Sequence, residues 1–168
     1  TEATALTIEE AVALIDSKDA AVLAHEDNQV YIKGVVSKVG AMSAMYKSIT
    51  YWISADGTET GQQFEIYGGL NVNGTTFESL SDIQVGNDVI VKGNLKKFGD
   101  DVYEMDKNNI LVRYGSLQDI IVEPYEGDDI FLAVDAVSAG KFVKDIYVYL
   151  QPGKSYTISE PIVAPAAF

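Results

Sequence analysis

Few residues in the sequence are of the types that carry out catalysis. It has no cysteine and a single histidine, His25, which excludes thiol chemistry, cysteine zinc sites and a histidine-rich metal centre. A Ser-His-Asp triad would have to use His25, and no nucleophile-elbow motif occurs. Carboxylates are abundant, with 25 Asp and Glu residues, but this abundance singles out no pair for glycoside hydrolysis. We therefore predict that the protein is not an enzyme and needs no cofactor.

Three short acidic clusters have the oxygen ligands that Ca²⁺ prefers. They lie at Asp56 and Glu59, at Asp100 and Asp101, and at Glu126, Asp128 and Asp129. None has the ligand spacing of an EF-hand loop. Each cluster contains or adjoins a glycine, which is typical of an exposed turn. We interpret all three as solvated turns and predict no metal site.

The residues best suited to bind a ligand are aromatic, and alternation places most of them on one face of the predicted strands. Apolar residues such as Ile32 and Ile53 occupy the opposite face. The aromatic face and the loop over 39–47 supply the candidate binding residues: Tyr31, Lys33, Met45, Tyr46, Trp52 and Tyr67.

Two interpretations of these residues remain open. Tyr31, Trp52 and Tyr67 either form a stacking platform for bases or sugar rings, or they are covered by the carboxy-terminal region as a second core. The same choice applies to the loop, where Met42 and Met45 make either an adaptable contact surface or a plug at the end of the strands.

The charge of the chain argues against general nucleic-acid binding. The formal net charge is −13, from 25 acidic and 12 basic residues. Nucleic-acid binding depends on Lys and Arg contacts to phosphate, and Arg113 is the only arginine. A local strip of Lys92, Lys96 and Lys97 is the nearest approach to a basic site.

The elements that position these residues follow from hydrophobic periodicity. Thr7 and Glu10 form a capping box, and apolar residues at helical spacing predict a helix over 7–18 that packs as a lid. Residues 1–6 are expected to fray. Five strands are predicted, at 29–39, 48–54, 62–67, 86–95 and 102–105, the last of them resuming at 109–113, with a loop and a short helical turn over 70–85.

Two of these strands carry a glycine on the face that is otherwise apolar. Gly34 follows Ile32, and Gly93 lies between Val91 and Leu95. An inward glycine in a β-branched strand marks a bulge, a sharp bend or a close backbone approach. The pattern predicts a small, strongly coiled barrel. The opposite face of the later strand, with Ile90, Lys92 and Asn94, has no aromatic residue, so we expect recognition elsewhere.

The strand segments also carry a family resemblance. They are Val-Tyr-Ile-Lys-Gly-Val-Val (30–36), Thr-Tyr-Trp-Ile-Ser-Ala-Asp-Gly (50–57), Phe-Glu-Ile-Tyr (64–67) and Val-Gly-Asn-Asp-Val-Ile-Val-Lys-Gly-Asn-Leu (85–95). With them, the region 29–114, about half of the chain, resembles the OB-fold domains of exported and surface proteins of Bacteroidetes. The resemblance implies a five-stranded barrel whose outer face over strands 1 to 3 binds ligands. It leaves the ligand class open, because OB relatives bind nucleic acid, sugars or protein.

Residues 115–168 lie outside the resemblance. Apolar runs predict strands at 120–123, 130–135, 142–150 and 155–158, separated by turns that contain Gly, Pro or acidic residues. Roughly 54 residues is near the lower limit for an independent β domain, so we expect this extension to lean on the barrel or to be completed by another chain. The ending, 162–168, is expected to be extended.

The sequence therefore predicts an all-β chain with one or two short helices. Its parts are an N-terminal segment with a capping helix (1–24), a five-stranded OB-type Greek-key barrel (25–114) and a β-rich extension (115–168). The predicted function is a non-enzymatic structural or interaction module of a surface or multisubunit assembly, a class that includes virion components. The alternative is a ligand-binding module for carbohydrate or single-stranded nucleic acid. We expect a protein partner or self-association through the extension and no membrane span. The sequence leaves the location open among an exported or cell-surface position, which we favour, a virion and the cytoplasm.

Overall fold

Strands make up most of the regular structure in the computed structural model, which describes residues 1–122, 126–138 and 140–161, with side chains except at 116–122, 137 and 142–145. The strands are β1 (Val30–Met42), β2 (Ile49–Ser54), β3 (Phe64–Gly69), β4 (Asp88–Gly93), β5 (Leu95–Phe98), β6 (Val102–Met105), β7 (Ile110–Val122) and β8 (Lys141–Val148). The α-helices are α1 (Ile8–Ser17), α2 (Ala20–Leu23) and α3 (Ile130–Ser138). The chain is mostly β with few short helices, as predicted. Across the described part of the chain, no helix combines the length and apolar character needed to cross a bilayer.

The chain divides into two compact units, Thr1–Gly115 and Ser116–Phe168. The strands of the first unit form a mixed sheet in the order β5-β6-β3-β2-β1-β4-β7, to which β7 contributes its residues up to Gly115. The pair β3–β6 is parallel, whereas β1–β2, β2–β3, β1–β4, β4–β7 and β5–β6 are antiparallel. The long strand β1 serves two partners, because residues 30–35 pair with β4 and residues 35–42 pair with β2.

Most strands of the first unit lie where the sequence predicts them. The strands expected at 29–39, 48–54, 62–67 and 102–105 are confirmed as β1, β2, β3 and β6, with ends that differ by a few residues. The strand expected at 109–113 is the beginning of β7, which continues to Val122. The helical turn expected within 70–85 takes the form of two short 3-10 turns, Val72–Gly74 and Leu80–Asp82.

The strand predicted over 86–95 is in fact two strands, and the break follows Gly93. A Cβ at this position would lie 2.8 Å from Asn109 Cβ and 2.9 Å from Met105 Cγ. Contacts this short do not occur between real side chains, so only glycine lets the strand pass so close to β6 and to the start of β7. β4 therefore ends on β1, and β5 begins on β6.

Asn94 fixes the direction of the chain at this break. Its side-chain Nδ2 donates hydrogen bonds to the backbone oxygens of Leu23, at 2.8 Å, and His25, at 2.7 Å. Both carbonyls belong to the segment that enters β1. One side chain thus ties the bend between β4 and β5 to the segment before β1.

The core of the first unit lies on the face of the sheet that the alternation predicts. The fully buried residues of the strands include Ile32, Val36, Ile49, Tyr51, Ile53, Phe64, Ile66, Val89, Val91, Leu95, Met105 and Leu111. Helix α1 buries Ile8, Ala11 and Ile15 in the same cluster, which confirms its role as a lid. Burial of each large apolar side chain stabilises the fold by about 1.5–3 kcal/mol.

The amino-terminal cap of α1 is confirmed, but the prediction that residues 1–6 fray is wrong. Thr7 Oγ1 accepts from the Glu10 backbone N–H at 3.3 Å, and Thr7 N–H donates to Glu10 Oε2 at 2.8 Å. Just before the cap, Leu6 N–H donates to Tyr31 O at 2.8 Å and Leu6 O accepts from Lys33 N–H at 2.9 Å. β2 pairs only with residues 35–42 of β1, so the earlier residues of β1 need another partner on that edge. The N-terminal segment provides the hydrogen bonds there.

The strand predicted at 130–135 is wrong, because this segment is helix α3. An uninterrupted apolar run does not distinguish a buried strand from a buried helix. The residues at the two ends of the segment identify a helix. Asp129 Oδ1 accepts a hydrogen bond from Phe131 N–H at 2.9 Å, as an N-cap residue does. Gly140, with φ 69°, follows the last turn.

Elsewhere in the second unit the predictions are partly confirmed. The strand expected over 142–150 is β8, and the part of 120–123 that the structure describes belongs to β7. The strand expected at 155–158 is wrong, since the regular pairing there is a single bridge between Thr157 and Asp129. Glu123 and the ending 162–168 lie outside the described residues.

We expect Gly93→Ala to destabilise the protein by about 1–3 kcal/mol, the usual cost of an extra methyl group in a packed core. Urea unfolding followed by circular dichroism measures this loss. The matched control is Gly61→Ala, where a Cβ has no atom within 4 Å and φ is not positive. Equal unfolding midpoints for the two variants would contradict the close approach at Gly93.

Candidate binding face

The outer face is the side of β1, β2, β3, β6 and β5 opposite the core, and one row of residues crosses it. Strand register places in this row, from β1 to β5, Lys38, Trp52, Glu65, Glu104 and Lys96. The sequence neighbours of Trp52 and Glu65 are buried in the core: Tyr51, Ile53, Phe64 and Ile66. Because successive side chains point to opposite faces, the row points outward.

Trp52 is half-buried on this face and leans towards β1. A Cβ on Gly40 would lie 2.9 Å from Trp52 Cζ3, so the ring rests against the bare backbone of β1. Lys38 Nζ lies 5.3 Å from the ring centroid, within cation–π range, and 3.7 Å from Glu59 Oε2. The ring is thus held in place, with its indole on the surface of the sheet.

A groove of about 520 Å³ opens next to this row at the ends of β2 and β3. Its lining consists of Ala41, Ser43, Tyr46, Ser48, Thr50, Tyr67, Gly68, Leu70, Lys107 and Asn108. A bulge of β3 shapes one wall, since residues 66–69 of β3 lie opposite residues 49–51 of β2, and there Thr50 Oγ1 accepts from Gly68 N–H at 3.0 Å. The volume falls in the range of small-ligand sites, and the lining mixes aromatic, hydroxyl and amide groups.

The loop between β1 and β2 presents large side chains to solvent at this groove. Ser43 holds the loop, since its N–H donates to Ser48 O at 2.8 Å and its carbonyl accepts from Lys47 N–H at 2.9 Å. Tyr46 is 70% exposed, Tyr67 is 47% exposed, and Met45 at the tip of the loop is 80% exposed. Tyr46 and Tyr67, both predicted as binding residues, line the same groove, and Met45 stands beside Tyr46 on the loop.

Tyr31 and Lys33 lie apart from the groove, on the half of β1 that pairs with β4. Tyr31 is opposite Lys92, whose Nζ lies 5.8 Å from its ring centroid, and Lys33 is opposite Ile90. Ile90 faces away from the main core, as its position in the alternation predicts, but it is only 4% exposed. The six predicted residues therefore fall into separate sets, and the structure brings Tyr46 and Tyr67 together but not all six.

Two of the three lysines of the predicted basic strip, Lys96 and Lys97, are paired with nearby carboxylates, whereas Lys92 lies over the Tyr31 ring. Lys96 Nζ lies 2.9 Å from Glu104 and 3.2 Å from Asp106. Lys97 Nζ lies 2.8 Å from Asp16 on α1 and is hydrogen-bonded to Tyr103. These bonds raise the pKa of Lys97 and lower the pKa of Asp16.

The pair Glu65 and Glu104 is the feature that sequence reasoning missed. They face each other across the parallel pair β3–β6, and the Glu104 side chain is only 5% exposed. Burial, and then the negative charge of Glu104, raise the pKa of Glu65. Alternation does place Glu65 on the outer face, but no local signal reveals that β6 pairs with β3, so the two carboxylates could not be matched from the sequence.

The arrangement provides aromatic surfaces, a groove and the partly buried carboxylate of Glu65, and each of these can contribute to binding a ligand. No family model and no curated protein matches the chain. Among the residues that the structure describes, no three His, Cys, Asp or Glu side chains are placed to hold a metal ion. The evidence for function therefore comes from the outer face itself.

We expect Glu65→Gln to raise stability near pH 7 and to lose this advantage in acid. The raised pKa means that folding favours the protonated form, so stability is complete below the ordinary carboxyl pKa and falls as the pH rises through the folded-state value. The urea midpoint of the variant should exceed that of the parent near pH 7, and the two should converge below about pH 4.

The matched control is Glu9→Gln, which also removes one negative charge. Glu9 is exposed in the first turn of α1, where a carboxylate favours the helix, so its loss should not raise stability. A lower midpoint for Glu65→Gln than for the parent near pH 7 would contradict the prediction.

Proposed function

We propose that the chain is a non-enzymatic interaction module that binds a segment of a protein partner on the outer face. The observation that carries the proposal is the cluster of exposed side chains beside the groove: Met45, Tyr46 and Tyr67. Tyrosine supplies contact area and a hydroxyl at low entropic cost, and methionine adapts to irregular partners. Side chains of this size are exposed at interaction sites more often than on inert surfaces.

We further propose that the first unit is an OB-type barrel. The parallel pair β3–β6 supports this, since the third and fifth strands of such a barrel run side by side. β4 and β5 are separated only by Asn94. β4 pairs with β1, and β5 pairs with β6. On this reading the groove and the row lie on the face that such barrels use for recognition.

A role in an exported, surface or multisubunit assembly remains part of the proposal. The second unit supports it, because large apolar side chains there are exposed: Leu132, Tyr147, Tyr149, Leu150 and Ile158. These are candidates for contact with a partner or with a second copy of the chain. A single-stranded nucleic acid is disfavoured, because the net charge is −13 and Lys96 and Lys97 of the basic strip are paired with carboxylates.

Carbohydrate binding is the second candidate function, and the composition of the groove favours it. Tyr46 and Tyr67 offer ring faces for stacking on a sugar. Ser43, Ser48 and Asn108 offer hydrogen-bonding groups in the same groove. This combination fits a small polar ring as well as a peptide side chain.

The proposal is tested by selecting peptides from a displayed random library on the full chain and measuring their affinity. Peptides that bind the groove should lose about tenfold or more with Tyr67→Ala or Tyr46→Ala, the loss typical of a buried aromatic anchor. Phe98→Ala is the matched control, since Phe98 is an exposed aromatic residue that does not line the groove.

Selected peptides that bind the tyrosine variants and the parent equally, or a library that yields no binder, would contradict protein binding at the groove. A panel of oligosaccharides titrated against the same variants by NMR tests the second candidate. Saccharide binding that depends on Tyr67, without any peptide binding, would establish the carbohydrate function in place of the first.

A further inference from the structure

The charges in and around the row that crosses the outer face do not balance, and the imbalance is centred on Glu65. Four carboxylates, those of Glu59, Glu65, Glu104 and Asp106, are accompanied by two ammonium groups in and around the row that crosses the face. At the β1 end, Lys38 is engaged with Glu59 and the Trp52 ring. At the β5 end, Lys96 is shared between Glu104 and Asp106.

Glu65 lies between these two arrangements and belongs to neither. Within the described residues no cation forms an ion pair with its carboxylate, and its cross-strand neighbours are Trp52 on β2 and Glu104 on β6. Burial and the charge of Glu104 both disfavour its ionised form. A cation from a binding partner would offset the repulsion by Glu104 and compensate the cost of burying the charged carboxylate.

The surroundings of Glu65 suit a particular cation. Trp52 is opposite it, and Tyr67 is two residues further on the same strand and the same face. A guanidinium group is planar, stacks on aromatic rings and donates paired hydrogen bonds to a carboxylate. An ammonium group has only the charge and gains less from flat aromatic neighbours.

We propose that the outer face binds an arginine side chain of a basic, extended peptide segment, with Glu65 as its carboxylate partner. The rest of the segment runs from Glu65 past Tyr67 into the groove lined by Tyr46. Charge complementarity selects this occupant, because the face carries excess negative charge at a partly desolvated position. The proposal rests on the protein-binding function above and specifies the chemistry of the partner.

The test uses the full chain and a short blocked peptide of alternating Gly and Arg, with the Gly and Lys peptide of the same length as comparison. Trp52 is the only tryptophan, so its fluorescence reports binding at this face. Titrations are made at about 0.15 M salt, where charges more than about 8 Å apart are screened. We expect saturable binding of the Arg peptide and weaker binding of the Lys peptide.

Glu65→Gln should weaken the Arg peptide about tenfold or more, as expected for loss of a charge-assisted hydrogen-bond pair. Glu9→Gln, which removes the same charge from the exposed surface of α1, should change the affinity less than about twofold. The urea midpoint of each variant confirms that it is folded. Isothermal titration calorimetry gives the same constants without relying on fluorescence.

Three results would overturn the proposal: no saturable binding of the Arg peptide, equal weakening by the two variants, or equal binding of the Lys and Arg peptides. The failure of this inference can be separated from failure of the proposed function. Library peptides that bind in a Tyr67-dependent manner without any effect of Glu65→Gln would leave the function standing and remove only the arginine partner. Absence of both kinds of binding would remove both.

Discussion

The close approach at Gly93 is the constraint on which the first unit depends. Because no side chain projects there, Met105 on β6 and Asn109, just before β7, can pack directly against the bend between β4 and β5. The bend lets one stretch of chain pair with β1 before it and, after it, with β6. Asn94 then fixes the bend to the segment that leads into β1. β6 lies between β5 and β3, so the outer row continues from Glu65 to Glu104 and Lys96.

The outer face follows from that pairing rather than from any local motif. Each strand contributes one residue to the row because each alternates between core and surface, so the packing of Tyr51 and Ile66 inside determines where Trp52 and Glu65 stand outside. The parallel pair β3–β6 then places Glu104 beside Glu65. A slip of one residue in any of these strands would exchange the two faces, so core packing protects the arrangement of charges.

Alternation and capping signals were sufficient to predict most of the first unit, including the α1 cap at Thr7 and the inward positions of Gly34 and Gly93. They were insufficient where the deciding contact is non-local. The attachment of Leu6 to β1 and the match of Glu65 with Glu104 both depend on which strands meet. The segment of α3 was predicted as a strand because an unbroken apolar run has no periodicity that distinguishes a strand from a helix. Of the predicted binding residues, Tyr46 and Tyr67 lie together because the β3 bulge and the loop after β1 bring them to one groove.

The net charge of the chain and the arrangement of charges on the outer face have different effects on binding. A charge of −13 attracts basic partners in general, but salt screens this attraction beyond about 8 Å and it selects no position. Position is selected where a carboxylate is partly removed from water and no cation in the described part of the chain forms an ion pair with it. Lys38 and Lys96 are each committed to other acids, so their presence nearby does not compensate Glu65. The aromatic residues around it contribute contact area, and the uncompensated carboxylate contributes the choice of partner.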